Sequence, residues 1–452
     1  MSSPDRSGEL LAIAERVVAM AKAGEQVEAY VGRGVSTDVR VYEGEVEHFV
    51  SAQSQGIGIR VIRDGRTGSS SAGSLDESVI AEVLAEARDN LGYGEVDEWA
   101  GLAVPDGVPV TPQNLWNDAL ESASPARKIQ LAKDLERVTL ARDARIRVDD
   151  SNYSDAFGES AVATSTGIRV AGRENGCHLS VGTLADDGDE TQTGFGFAVG
   201  RDLDELDVDK AAVDAVERAT RLLGATKPES RRTTIVLDPY CTAQFLGIIG
   251  STLNGESVAK GRSLFANRLG EAVATTLLTL VDDPTDVRAY TATDIDGEGL
   301  AARRNVLIEN GVLRTFVQSS YSARRLGAAT TGNGVRGGYG GSPSAGCLAL
   351  QVVPGHRSQA EIIGGIDDGI LIQQVQGLHS GVNPVSGDFS TGAAGLTIRK
   401  GTLGAPVREF TIASTLQRML LDIAEIGGDL EWLPMRATGV SLVIHDVTMS
   451  GA

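Results

Sequence analysis

The stretch Ile57-Gly58-Ile59-Arg60-Val61-Ile62-Arg63-Asp64-Gly65 puts apolar side chains at alternate positions, Ile57, Ile59 and Val61, and then stops at an Asp-Gly pair. A period of two is the mark of a strand with one buried face, and Asp-Gly supplies the positive φ angles of a tight hairpin turn. Upstream, Val39 and Val41 alternate with polar neighbours in the same way. The strands are flanked by helical patterns. Residues 7–23 carry an apolar stripe of Leu10, Leu11, Ile13, Ala14, Val17, Val18 and Ala21, with Gly24 as the stop. Residues 76–91 carry another, made by Val79, Ile80, Val83, Leu84 and Ala87. The local reading is therefore helix, short strands, helix.

That order returns. After residues 93–124, a Gly- and Pro-rich stretch with Pro105, Pro109 and Pro112 that reads as a linker or loosely packed excursion, a helix is predicted over 126–142. Strands begin at Ile146, and a further helix covers 204–223 before Gly224. Gly58-Ile59-Arg60-Val61 even recurs as Gly167-Ile168-Arg169-Val170, and an extra hairpin turns at Asp186-Asp187-Gly188. Repetition of the whole order points to an internal duplication.

Beyond Pro228 the pattern changes. Thr233–Leu237 reads as a buried strand, and Asp238-Pro239 as the cap and first residue of a helix. Glycine-separated strands follow around 305–317, 346–352, 370–376, 394–399 and 437–449, with one late helix from Ile412 to Ile426. The expected fold is α+β: a duplicated helix–strands–helix N-terminal half, then a barrel-like C-terminal domain dominated by antiparallel sheet. The corresponding division is 1–92, a linker at 93–124, 125–228, and 229–452.

Composition narrows the function classes. A net charge of -20 over 452 residues, with no basic stripe, argues against a nucleic-acid partner. No apolar run approaches the roughly 20 residues a membrane helix needs, and the first residues lack the apolar core of a secretory signal. Three scattered cysteines, Cys177, Cys241 and Cys347, with no C-x-x-C pair, suit a reducing compartment, so a cytoplasmic location is expected. Scarce aromatics (4%) beside 55 glycines fit a β-rich chain with many tight turns.

A search for chemistry finds little that is self-sufficient. The five histidines, at 48, 178, 356, 379 and 445, are never closer than 23 residues, and no H-E-x-x-H is present. No metal site is expected. A G-x-S-x-G elbow in its strand–turn–helix setting is missing too. Cys241, one turn into a helix, has no histidine partner nearby and reads as a small buried hydrophobe. The run Thr331–Gly341 is as glycine-rich as a phosphate cradle but has no lysine, and it reads as a close-approach loop lining a cleft. Gly377–Ser390 is chemically dense, holding His379, Asn383 and Asp388 within ten residues. It serves either a site or only its own hairpin.

Taken together, Tyr321–Gly327, the 331–341 loop, Asn305–Leu313, the 377–395 segment ending Asp388-Phe389-Ser390-Thr391-Gly392-Ala393-Ala394-Gly395, and the closing strand Val440–Met449 resemble the TldD/PmbA family. The likeness is closer to its PmbA branch, also called TldE, and covers nearly the whole chain. The resemblance implies a two-subunit peptidase in which TldD holds zinc through an H-E-x-x-x-H helix and a C-terminal cysteine. The equivalent helix here starts at Asp238, and the ligand and general-base positions fall on Leu246, Ser251 and Gly247. Leucine and glycine offer no ligand or base, serine is a poor one at neutral pH, and Gly427–Ala452 contains no cysteine.

The expectation is therefore a subunit with no cofactor of its own, paired with a TldD-like zinc metallopeptidase, helping to enclose unfolded or small precursor peptides. His379, Asn383 and Asp388 are the expected peptide- or partner-facing residues. Two alternatives stay open: a stand-alone hydrolase built on His379 and Asp388, and a non-enzymatic scaffold.

Overall fold

The structure, a computed structural model, describes residues 5–452. The N-terminal half is one antiparallel sheet in the order β3-β2-β1-β4-β5-β6. Its first three strands are β1 (Gln26–Tyr42), β2 (Glu45–Arg63) and β3 (Arg66–Ala72), with α1 (Ser7–Val18) before them and α2 (Glu77–Asp89) after. The second set is β4 (Ile146–Thr164), β5 (Arg169–Asp187) and β6 (Glu190–Gly200). It is preceded by α3 (Asp118–Glu121) and α4 (Pro125–Leu140) and followed by α5 (Val208–Thr220).

The strands are far longer than the expected short ones, up to 19 residues. Tight turns hold the hairpins: Glu43-Gly44 (φ 51° and 77°) joins β1 to β2, and Asp64-Gly65 (φ 51° and 73°) joins β2 to β3. Stretches such as Ser51–Gln55 stay in the ladder although both of their faces are exposed, so no apolar alternation betrays them.

The two sets join through their first strands, β1 against β4 from Glu28↔Thr164 to Val41↔Ser151. Helices cover one face, presented by odd-numbered residues in β1, β2 and β5 and by even-numbered ones in β3 and β6: Val27, Ala29, Val31, Ile57, Ile59 and Val61 pack on α1 and α2, and Val39, Val41, Leu179 and Val181 on α4 and α5. The repeated tetrapeptide does not mark equivalent places. Gly58–Val61 lies late in β2, whereas Gly167 precedes β5 in a turn. The structural echo is elsewhere: a Cβ on Gly68 of β3 would come within 2.1 Å of Ala87 O, and one on Gly194 of β6 within 2.1 Å of Ala215 O. In both sets of three strands a glycine lets the following helix lie directly on the third strand.

Residues 93–117 have almost no regular structure, yet they are not loosely packed. Leu102, Ala103 and Leu115 are buried. Asp97 N donates to Gly65 O (2.8 Å), while the Arg324 guanidinium donates to the carbonyls of Trp99, Gly101 and Leu102. Gln113 N donates to Asp294 Oδ1 (2.8 Å). The proline-rich composition removes helix and ladder, and side chains from the C-terminal half satisfy the freed backbone.

The C-terminal half opens with β7 (Arg231–Leu237), α6 (Pro239–Thr252) and α7 (Gly255–Ala259). A small sheet follows, ordered β10-β9-β8-β13 and made of β8 (Leu280–Asp282), β9 (Asn305–Glu309), β10 (Val312–Leu313) and, later in the chain, β13 (Leu350–Val352). Between them come α8 (Ser320–Leu326) and the short pair β11 (Gly334–Val335) and β12 (Ser344–Ala345). After α9 (Gln359–Gly364) the chain runs through β14 (Asp368–Gln376), α10 (Leu378–Gly381), β15 (Asp388–Arg399), β16 (Thr402–Thr415), α11 (Leu416–Leu421), β17 (Ile423–Ile426) and β18 (Leu442–Ser450).

Strands in the order β16-β15-β14-β7-β18 form a barrel, closed by pairing of β16 with β18. Only β7 and β14 run parallel in it. Asp238 caps α6 through Cys241 N (2.7 Å), and Phe245, Leu246 and Ile249 carry α6 into one core with Ile235, Ile370, Phe389 and Phe410. The helix expected over Ile412–Ile426 is limited to α11. Its ends are strand, because Ile412 pairs with Thr391 and Met449, and Ile423 with Ile444.

Candidate functional site

Across the four central strands β2, β1, β4 and β5, the face turned away from the helices carries the even-numbered residues and is built largely of glycine. Gly32, Gly34, Gly56, Gly58, Gly158, Gly172 and Gly176 share it with Ser54 and Ser160. Without side chains the sheet accepts close contact from the C-terminal half. A Cβ on Gly58 would lie 1.7 Å from Tyr339 O, and one on Gly56 would lie 2.5 Å from the Tyr339 ring. Further along, Tyr290 stands over Gly176 and meets His178 edge-on at 6.2 Å. Between these two pillars the floor is open, since a Cβ on Gly158 or Gly172 would touch nothing within 4 Å. The result is a cleft of about 550 Å³, roofed by Tyr290–Gly297 and by Gly334–Tyr339 of the glycine-rich loop. That volume is in the range of small-ligand pockets.

Buried charge fixes the loop over the sheet. Arg336 donates to Glu28 Oε1 (2.7 Å), to Gly297 O (2.9 Å) and to Gly341 O (2.8 Å), and lies over the Tyr30 ring. Arg60 holds the other oxygen of Glu28 at 2.9 Å. Burial alone would raise the Glu28 pKa, but Arg60 and Arg336 outweigh it and hold the carboxyl below its ordinary value. At the loop's base, Asp296 Oδ2 accepts Gly334 N (2.7 Å) and Oδ1 accepts Glu298 N and Leu300 N. Burial, followed by the charge of nearby Glu298, pushes Asp296 up to about 7 against those donors.

Groups of both signs face the cleft. Burial raises Glu174 although Arg201 opposes it, and Asp294 is raised by burial too. Arg201 itself donates to Asn175 O (2.7 Å) and Ala289 O (3.2 Å). Exposed Arg436 stands on the rim. Such a site can hold a polar, extended molecule along a flat floor without demanding one charge.

The residues singled out from sequence lie elsewhere: none of Leu246, Gly247, Ser251, His379, Asn383 and Asp388 lines this cleft. On α6, Leu246 is sealed in the core, while Gly247 and Ser251 are exposed, and Ser251 Oγ donates to Ile248 O (2.6 Å). These positions do not fit a zinc ion, since one is hydrocarbon turned inward and another has no side chain. Among the described residues no three His, Cys, Asp or Glu side chains gather in a metal-binding group. Burial, then Asp155, pushes the Cys177 thiol up to about 12, and burial raises Cys241 and Cys347 as well.

The 377–390 segment adjoins α6 through the Phe245–Phe389 ring contact (6.3 Å), and Leu264 N donates to Pro384 O (3.3 Å). Asn383 Oδ1 accepts Val385 N and Ser386 N, and Asp388 Oδ2 accepts Ser386 Oγ (2.6 Å). Those two side chains serve their own turn, and His379 is exposed.

Sequence reasoning placed the glycine-rich loop at a cleft, where it lies, but missed the sheet face beneath it. The signal was present as glycines two apart in strands: Gly32 with Gly34, and Gly56 with Gly58.

Comparison with known proteins places all three parts of the chain. Residues 27–91 match the PmbA/TldA metallopeptidase domain 1, 118–223 the central domain, and 230–451 the C-terminal domain. Metalloprotease PmbA of Escherichia coli O157:H7 is 25% identical, over 90% of this chain and 88% of its own length. A metalloprotease of Methanothermobacter thermautotrophicus is 27% identical with the same shares, 90% and 88%. The crystal structure of TldE from Thermococcus kodakarensis superposes with a TM-score of 0.88 at 24% identity, covering 98% of this chain and 99% of that one, a likeness of fold.

Proposed function

From the premise that this chain belongs to the PmbA/TldA metallopeptidase family, we propose that it is the partner subunit of a TldD-like zinc metallopeptidase and holds extended peptide for cleavage. One observation carries the reading. The helix that would bear the metal offers a core leucine at 246, a bare glycine at 247 and a surface serine at 251, so α6 packs as a structural helix. The zinc and its bound water belong to the partner subunit. This chain contributes the cleft, whose glycine floor leaves room for an extended peptide to lie flat on the sheet. Side chains of both signs at its edges, Glu174, Asp294, Arg201 and Arg436, accept varied sequences. Unfolded or small precursor peptides are the substrates, and a cytoplasmic location suits the three unpaired cysteines.

The test is co-expression with a TldD-like subunit encoded in the same genome. Size-exclusion chromatography should give one complex that cleaves an unstructured peptide, while neither the isolated chain nor its cleft variants cleave it. Separate elution of the two chains at micromolar concentration, or peptidase activity in this chain alone, would overturn the proposal.

A further inference from the structure

The apolar stripe on the helix-covered face of the N-terminal sheet is interrupted at its middle. On β1 it runs through Val27, Ala29 and Val31, breaks at Arg33, Val35 and Thr37, and resumes at Val39 and Val41. Facing the break are Glu159, Phe157 and Asp155 of β4 and Gln55, Gln53 and Ser51 of β2. The helices α1 and α2 pack on one side of this strip and α4 and α5 on the other. The strip between them is the floor of a cavity of about 700 Å³, with Trp116 and Lys128 on its wall. Gly34 and Gly158 line both this cavity and the cleft on the opposite face, so one layer of backbone separates the two.

Its chemistry is unusual for the inside of a helix–sheet layer. Lys128 is 6% exposed. Its Nζ lies 2.5 Å from Asp155 Oδ2, 3.5 Å from Thr37 Oγ1 and 5.4 Å from the centre of the Phe157 ring. Only the first of these is a short bond, which leaves the ammonium with donor capacity to spare. Asp155 Oδ2 also accepts the Tyr153 hydroxyl (2.6 Å), while buried Oδ1 has no hydrogen-bond partner among the described residues. A buried ion pair is weak evidence for stability, since well-packed apolar side chains often hold a fold as well or better. Beside the pair, Trp116 meets Phe157 at 67° with ring centres 5.9 Å apart, which makes an aromatic corner. At the far end Arg33 pairs with Glu159, so charge there is balanced.

We propose that this cavity binds a small carboxylate with a flat apolar body, at a site distinct from the peptide cleft. The carboxylate takes the spare N–H positions of Lys128 in a charge-assisted bond shielded from water. The flat body lies in the corner of Phe157 and Trp116, and Ser51 and Gln53 supply the polar rim on β2. An amine of the same shape would meet the Lys128 ammonium as a like charge, and an amide would forgo the charge assistance. The proposal does not rest on the peptidase reading.

Calorimetric titration of the purified full-length chain with 3-phenylpropionate, and with the amide and amine of the same skeleton, reads the site. The carboxylate should bind with a Kd of about 1 mM or tighter, the amide roughly tenfold more weakly and the amine not measurably. Gln53→Trp projects an indole into the cavity from an exposed strand position, so it should abolish binding at an unchanged melting temperature. Lys128→Met should bind carboxylate and amide alike. That variant leaves Asp155 buried without its cation, so Gln53→Trp locates the site whether or not Lys128→Met folds. No carboxylate binding up to about 10 mM, an amine that binds as tightly as the carboxylate, or full affinity in Gln53→Trp would overturn the inference.

Discussion

Replacing Glu28 by glutamine isolates the contact that fastens the glycine-rich loop to the sheet. The Glu28 side chain is 1% exposed and sits between Arg336, at 5%, and Arg60, at 13%. Glu28→Gln keeps the shape but leaves two guanidinium groups facing a neutral amide. Removing one partner from a buried ion pair typically costs about 3–5 kcal/mol. Arg336 keeps its bonds to Gly297 O and Gly341 O and its place over Tyr30, so the low end, about 3 kcal/mol, is expected. Arg336→Met leaves Glu28 paired with Arg60 and should cost less, about 2 kcal/mol, and the double variant should cost less than the sum.

The pH dependence has a definite sign. Glu28 is held below its ordinary pKa in the folded chain, so its contribution is present in full above the ordinary glutamate range and is lost as pH falls through the lowered value. The gap between wild type and Glu28→Gln should be constant near neutrality and close in acid. Urea denaturation at several pH values measures it, with limited proteolysis of the 331–341 loop as a local reading. The second reading is needed because a chain with several cores need not unfold in one step. A loss under about 1 kcal/mol, or a gap unchanged well into acid, would refute the claim that this ion pair fastens the loop.

Three further outcomes follow from the packing. Gly194→Ala, whose Cβ would meet Ala215 O at 2.1 Å, should destabilise by about 1–3 kcal/mol in thermal melts, and Gly68→Ala likewise. Gly172→Val, on the open floor, should leave the melting temperature level or slightly higher, while peptide cleavage by the two-chain complex falls several-fold. His379→Ala should lower that cleavage at unchanged melting temperature. Asp388→Ala, which frees Ser386, serves as the comparison, because a fall in stability with full turnover would assign the segment to its own hairpin.

The order of helices and strands was legible because stripes such as Val79, Ile80, Val83 and Leu84 survive in any context. Strand length was not, because Ser51–Gln55 is polar and exposed on both faces and is held only by its partner β1. The helix expected over Ile412–Ile426 shows the limit of an apolar run: Ile412 and Ile423 belong to ladders whose partners lie at Thr391 and Ile444, out of reach of local pattern. Barrel closure by β16 on β18 is non-local for the same reason. At the site, the glycine loop could be read because eleven residues concentrate the signal. Glu28, Arg60 and Arg336 could not, because 308 residues separate the outer two and only the fold brings them together.

Zinc content across the co-purified complex tests the central claim most directly. Elemental analysis of this chain alone and of its peak with a TldD-like subunit should give no stoichiometric zinc in the first and about one zinc per pair of chains in the second. Close to one zinc in this chain alone, retained through mild chelation, would contradict the account.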